Sequence, residues 1–146
     1  MGTTYVDVTI RNPADPRRSW TGKFVVDTGA FDSLVPRQRL EAIGLKPRGS
    51  RDYVLADGKQ LTLEATVAEI EFEGVVVGGT IAYGPEGTEP LLGVTALESG
   101  GFEIDPHNER LKRLPGVMMR RKCRIARLPD DAHPRLTPTQ LDRLVG

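Results

Sequence analysis

Val25-Val26-Asp27-Thr28-Gly29-Ala30 is the stretch on which the reading of this chain turns. An apolar run ends in a carboxylate, a hydroxyl and a residue with no side chain. Phe24 and Val26 anchor a strand behind it, and Gly29 permits a sharp turn where a Cβ would be strained. Asp27 is therefore expected at the mouth of a turn. Taken alone, Asp-Thr-Gly fits equally an ordinary strand exit with Asp as turn former. The segments around it tip the balance.

The chain continues Ala30-Phe31-Asp32-Ser33-Leu34-Val35-Pro36, a small residue, two intervening positions, a hydroxyl and an apolar pair. Much later, Pro90-Leu91-Leu92-Gly93-Val94-Thr95-Ala96-Leu97 places two apolar residues and a Gly before a short helical stretch. In this order and at this spacing, the two segments resemble the retropepsin-like (retroviral-type) aspartic protease family, in its bacterial-type form, over residues 5–114. The resemblance implies an all-β fold, a retropepsin-like acid protease β-barrel with a short helix after Leu-Leu-Gly, assembled as a homodimer. It further implies an aspartic endopeptidase, hydrolysing peptide bonds through a water activated by an Asp dyad, with no cofactor and no metal.

On the same resemblance Asp27, Thr28 and Gly29 are the catalytic motif, with the Thr28 hydroxyl reaching across to the loop of a second copy. Ala30 is small so that substrate backbone can pass close, and Phe31 follows it at the substrate side. Val54, Leu55, Ala56, Asp57 and Gly58 belong to a flap closing over the peptide, and Leu91 and Leu92 to the supporting strand. Retroviral members often carry an acidic residue after the Ala and a basic one after the supporting Gly. Here Phe31 and Val94 stand there, an apolar contact in place of an ion pair.

The dyad decides the assembly. Two carboxylates sharing one proton cannot both ionise readily, so one pKa rises and the other falls. This chain holds one Asp-Thr-Gly, and a double-lobed enzyme needs two in a chain more than twice as long. The expected partners are thus a second copy of this chain and a peptide or protein substrate. The competing reading is a catalytically silent retropepsin-like module for dimerisation or peptide binding. Such proteins usually lose the Asp or the apolar-apolar-Gly segment, and this chain keeps both.

Composition sets the outer bounds. At 146 residues the chain can bury a real core, and 16 Gly with 11 Pro favour a turn-rich β fold. Zero net charge conceals an asymmetry: residues 1–109 carry ten Lys/Arg against seventeen Asp/Glu, residues 110–146 ten against three. Residues 1–115 are expected as the protease domain and 116–146 as a basic C-terminal extension. Thr137-Pro138-Thr139-Gln140 has capping-box spacing, predicting a terminal helix over 138–145. The cluster of Arg120, Arg121, Lys122, Arg124 and Arg127 lacks interleaved aromatics, and no nucleic-acid motif accompanies it. A solvated extension is expected rather than a nucleic-acid contact. Cys123 is the single cysteine and has no His near it in sequence, which excludes an internal disulfide and argues against a catalytic thiol. No run of 18 apolar residues and no leader pattern is present, so no membrane contact is expected and the cytoplasm is the expected location.

Along the chain, Val6, Val8 and Ile10 alternate with Asp7 and Thr9 as a half-buried strand. Residues 12–16 read as a turn, 19–27 as a second strand, and 37–43 as a helix entered through Pro36 and ended by Gly44. Residues 53–56 and 60–63 flank Asp57-Gly58 as a hairpin. Ala68, Ile70 and Phe72 alternate with Glu69, Glu71 and Glu73, a strand with a solvated acidic face rather than a metal site. Residues 75–77 and 80–83 continue the sheet, and Gly78-Gly79 suggests a bulge or bend between them. A short helix over 95–99 and strands over 102–105 and 110–114 complete the domain.

Overall fold

Period-two burial builds the sheet in the computed structural model, which describes residues 2–116. In β1 (Tyr5–Asn12) Val6, Val8 and Ile10 are buried while Tyr5 and Asp7 are exposed. β2 (Asp15–Asp27) pairs with it antiparallel, setting Val6 against Phe24 and Ile10 against Trp20. This strand begins four residues before the expected Ser19. Asn12 makes the tight turn possible: its Oδ1 accepts the Ala14 amide at 2.9 Å and its Nδ2 donates to the Ile43 carbonyl at 2.9 Å.

The remaining elements are β3 (Ser33–Pro36), α1 (Arg37–Ala42), β4 (Ser50–Val54), β5 (Gln60–Phe72), β6 (Val75–Gly84), β7 (Leu91–Gly93), α2 (Val94–Gly100), β8 (Phe102–Asp105) and β9 (Arg110–Arg113). The fold is mostly strand. Residues 60–63 and 68–72 fuse into the single 13-residue strand β5, and β6 likewise runs unbroken to Gly84. Gly78 and Gly79 form no bulge, since they pair in regular register with Glu69 and Ala68. Gly79 instead makes room for a neighbour: a Cβ there would lie 3.1 Å from Ile70 Cδ1. At the β5–β6 turn Glu73 and Gly74 have φ of 48° and 79°, the pair of positive values that a two-residue type I′ hairpin demands.

Seven strands form one sheet in the order β1-β2-β7-β3-β6-β5-β4, and an additional β1–β5 pairing joins Ile10 to Ile70. At that seam Arg11 reaches Glu69 at 3.5 Å and Glu71 at 3.2 Å, so the acidic face of β5 is partly neutralised from β1. β7 lies between β2, to which it is parallel, and β3, to which it is antiparallel. β8 and β9 form a separate two-stranded ladder.

The sheet wraps a core that includes Val8, Ile10, Phe24, Leu40, Ile70, Phe72, Ile81, Leu92 and Leu97. Each such side chain contributes about 1.5–3 kcal/mol on burial. Trp20 lies across Gly22 against Phe24, with ring centroids 5.7 Å apart. No helix among the described residues is long and apolar enough to cross a membrane. The basic cluster, Cys123 and the helix expected over 138–145 lie outside the described residues.

Candidate active site

β2 ends on Asp27, and the chain turns at once. The Gly29 amide donates to Asp27 Oδ1 at 2.9 Å and the Ala30 amide to the Asp27 carbonyl at 3.2 Å. The carboxylate therefore helps to build the turn that presents it, and the side chain is held while the residue stays exposed. Gly29 does not use a positive φ here. Its value is space: a Cβ would sit 3.2 Å from Asp27 Oδ1.

β7 supports this loop from below. Asp27 and Gly93 are register partners. The Gly93 amide donates to the buried Ser33 Oγ at 3.0 Å, Val94 N to the Ala30 carbonyl at 2.8 Å, and Thr95 N and Oγ1 to the Phe31 carbonyl at 3.2 and 2.9 Å. These bonds stitch residues 30–33 to the β7–α2 junction. The two motifs, some sixty residues apart in sequence, form one structural unit.

β4 and β5 form a hairpin, with Val54 paired to Gln60. Its end is a three-residue loop, Ala56-Asp57-Gly58, closed by Leu55 N to the Lys59 carbonyl at 2.8 Å and Gly58 N to the Leu55 carbonyl at 2.9 Å. Gly58 has φ of 86° while Asp57 has none of the positive φ that a type I′ pair requires. This is the type I turn followed by a left-handed Gly.

Between the hairpin and the loop lies a cleft of about 600 Å³. Asp27, Gly29, Ala30, Phe31, Val54, Leu55, Ala56 and Leu91 line it, as do Leu61 and Leu63 from β5. Phe31, Val54 and Leu55 are exposed apolar residues, so the cleft presents hydrophobic surface beside the Asp27 carboxylate.

Four of the expected site residues do not line this cleft. Leu92 is completely buried, because alternation along β7 turns Leu91 to the cleft and Leu92 to the core. Thr28 is exposed and does not line the cleft. Asp57 and Gly58 occupy the hairpin tip, where Asp57 Oδ1 accepts the Lys59 amide at 3.0 Å.

Asp32, Arg51 and Tyr53 were not among the expected site residues, and all three line the cleft. Asp32 Oδ2 accepts the Tyr53 hydroxyl at 2.8 Å and pairs with Arg51 Nη1 at 3.0 Å. Burial first, and then the bond to Asp32 and its negative charge, push the Tyr53 hydroxyl up to about 12, partly opposed by Arg51. Tyr53 thus stays a donor. Nothing local in the sequence singles out Asp32.

A family model described as aspartyl protease matches residues 6–96, more than half of the chain. The match takes in the Asp27 turn, the β4–β5 hairpin and Leu91-Leu92-Gly93 together. No curated protein gives a significant match.

Proposed function

Since the chain belongs to the aspartyl protease family, we infer that it is a retropepsin-like aspartic endopeptidase that works as a homodimer, with one Asp27 from each copy in a shared site. The observation that carries this is Asp27 itself: exposed at a largely apolar cleft, its carboxylate fixed by the Gly29 amide and its backbone paired to Gly93. A single chain brings one such turn, and the chemistry requires two.

In the proposed reaction the ionised carboxylate of one copy takes a proton from a water as that water's oxygen bonds to the scissile carbonyl carbon. The protonated Asp27 of the second copy donates its proton to the carbonyl oxygen. Collapse of the tetrahedral diol breaks the C–N bond, a proton passes to the leaving amine, and a carboxyl and an amine product result. Preorganisation supplies much of the rate: the Asp27 turn and the β7–α2 junction hold their groups before substrate arrives. The hairpin acts as a flap, its Val54 and Leu55 covering apolar substrate side chains and excluding water.

The direct test is Asp27→Asn. Its amide oxygen can still accept the Gly29 N–H, so fold and melting temperature should be kept, while cleavage of an unstructured protein substrate falls by about 10²–10⁴-fold. Cleavage by the pure variant at the wild-type rate would end this reading.

A further inference from the structure

The side chain of Asp32 is only 3% exposed. A carboxylate this deep is costly unless it is paired and hydrogen-bonded, and both of its partners come from one strand. Arg51 and Tyr53 stand two residues apart on β4 and so share a face. Arg51 also places its guanidinium 5.8 Å from the ring centre of Phe31, the residue before Asp32.

Two further facts give these contacts direction. β4 is the last strand in the sheet order and, among the described residues, pairs with β5 alone, so its side chains decide how it sits against the rest of the site. Asp32, by contrast, is rigidly mounted: a Cβ on Gly93 would fall 2.5 Å from the Asp32 carbonyl carbon and oxygen, and the neighbouring Ser33 Oγ accepts the Gly93 amide. One end of the linkage is fixed and the other is a hairpin held from one side.

We propose that Asp32 is a positioning residue that latches the β4–β5 hairpin to the loop carrying Asp27, and so sets the spacing between the cleft's roof and its carboxylate. Its role in turnover rests on the peptidase reading above, but the latch itself is a property of the fold. Substrate entry requires the hairpin to lift, which breaks the contacts to Arg51 and Tyr53, and closure remakes them. Without the latch the competent arrangement is a smaller fraction of the population, and apparent affinity falls by that fraction.

The test follows backbone amide exchange in the full chain alongside peptide cleavage, for Tyr53→Phe, Asp32→Ala and the double variant. Exchange at the amides of Leu55 and Gly58, both hydrogen-bonded within the hairpin, should quicken by about tenfold in Asp32→Ala while β2 and β6 stay protected. Tyr53→Phe should quicken it less, and should add nothing in the Asp32→Ala background because the bond is already gone. On an unstructured peptide, KM should rise by about threefold to tenfold with a smaller change in kcat. Asp32→Asn keeps an oxygen for Tyr53 but no charge for Arg51, and should fall between wild type and Asp32→Ala. If Asp32→Ala does not fold, Tyr53→Phe carries the test alone. Unchanged hairpin exchange in the folded variants, or fully additive effects of the two substitutions, would overturn the latch. A wild-type protein that cleaves nothing would sink the peptidase reading instead, and the exchange data would still decide the latch.

Discussion

Gly93 packs so closely on Asp32 that a Cβ at Gly93 would lie 2.5 Å from the Asp32 carbonyl carbon and oxygen. Its φ of −83° is open to any residue, so the requirement for Gly is one of contact alone. Gly93→Ala should therefore push the loop of residues 30–33 off β7 and cost about 1–3 kcal/mol, the usual range for overpacking. Urea denaturation measures the loss. A variant as stable as wild type would mean that the loop has slack, and the rigid mounting of Asp32 would be lost with it.

Tyr53 ties stability to pH on the alkaline side. Its hydroxyl is pushed up to about 12, chiefly by burial and then by Asp32, from an ordinary value near 10. The protonated form is thus favoured by folding, and that contribution is complete below about pH 10 and lost as pH climbs towards about 12. Comparing wild type with Tyr53→Phe isolates it from Tyr83, which burial also raises. The stability difference between the two proteins should be flat up to about pH 10 and then drift against wild type. A difference that stays constant through pH 12 would place Tyr53 in water rather than on Asp32.

The hairpin tip can be probed through its one left-handed residue. Gly58 has φ of 86°, and no atom of the described residues lies within 4 Å of a Cβ placed there, so the main cost of Gly58→Val is backbone strain of about 1–2 kcal/mol. Gly87 offers a matched control, with φ of 83° and equally open space in a turn outside the cleft. Both substitutions should lower the melting temperature similarly, but only Gly58→Val should slow peptide turnover. Equal turnover in the two variants would make the hairpin scaffold rather than flap.

Much of this architecture was legible because its signals are local. Strict alternation in residues 6–10 and 68–73 marked two strands, and Pro36 with Gly44 bracketed α1 to within a residue or two. The Asp27 and Leu91-Leu92-Gly93 segments were each readable as motifs, and their meeting followed from resemblance rather than from either alone. What escaped was tertiary. Asp32 looks like any polar loop residue until Arg51 and Tyr53 arrive from nineteen and twenty-one positions away. A glycine pair inside a strand pattern can mean a bend or a close neighbour, and only Ile70 above Gly79 decides which. Leu91 and Leu92 read alike, yet the strand's alternation sends them to opposite faces.

The homodimer carries the most exposed consequence of the proposed function. If each site needs Asp27 from two copies, specific activity must fall on dilution below the dimer dissociation constant, since the folded chain alone holds half a site. Mixing gives a sharper result than dilution, because it leaves total protein and folding untouched. Asp27→Ala subunits should exchange into wild-type dimers, and a mixed dimer has one carboxylate and cannot share a proton across the water. At equal concentrations and after full exchange, about a quarter of all dimers would keep both Asp residues. Half of the molecules are wild type, so activity per wild-type chain should drop to about one half. Excess variant should drive it further towards zero, following the square of the wild-type fraction when counted over all dimers. A variant inactive alone that leaves wild-type activity untouched after proven subunit exchange would show each chain working independently, and Asp27 would then be a turn residue with no partner across an axis.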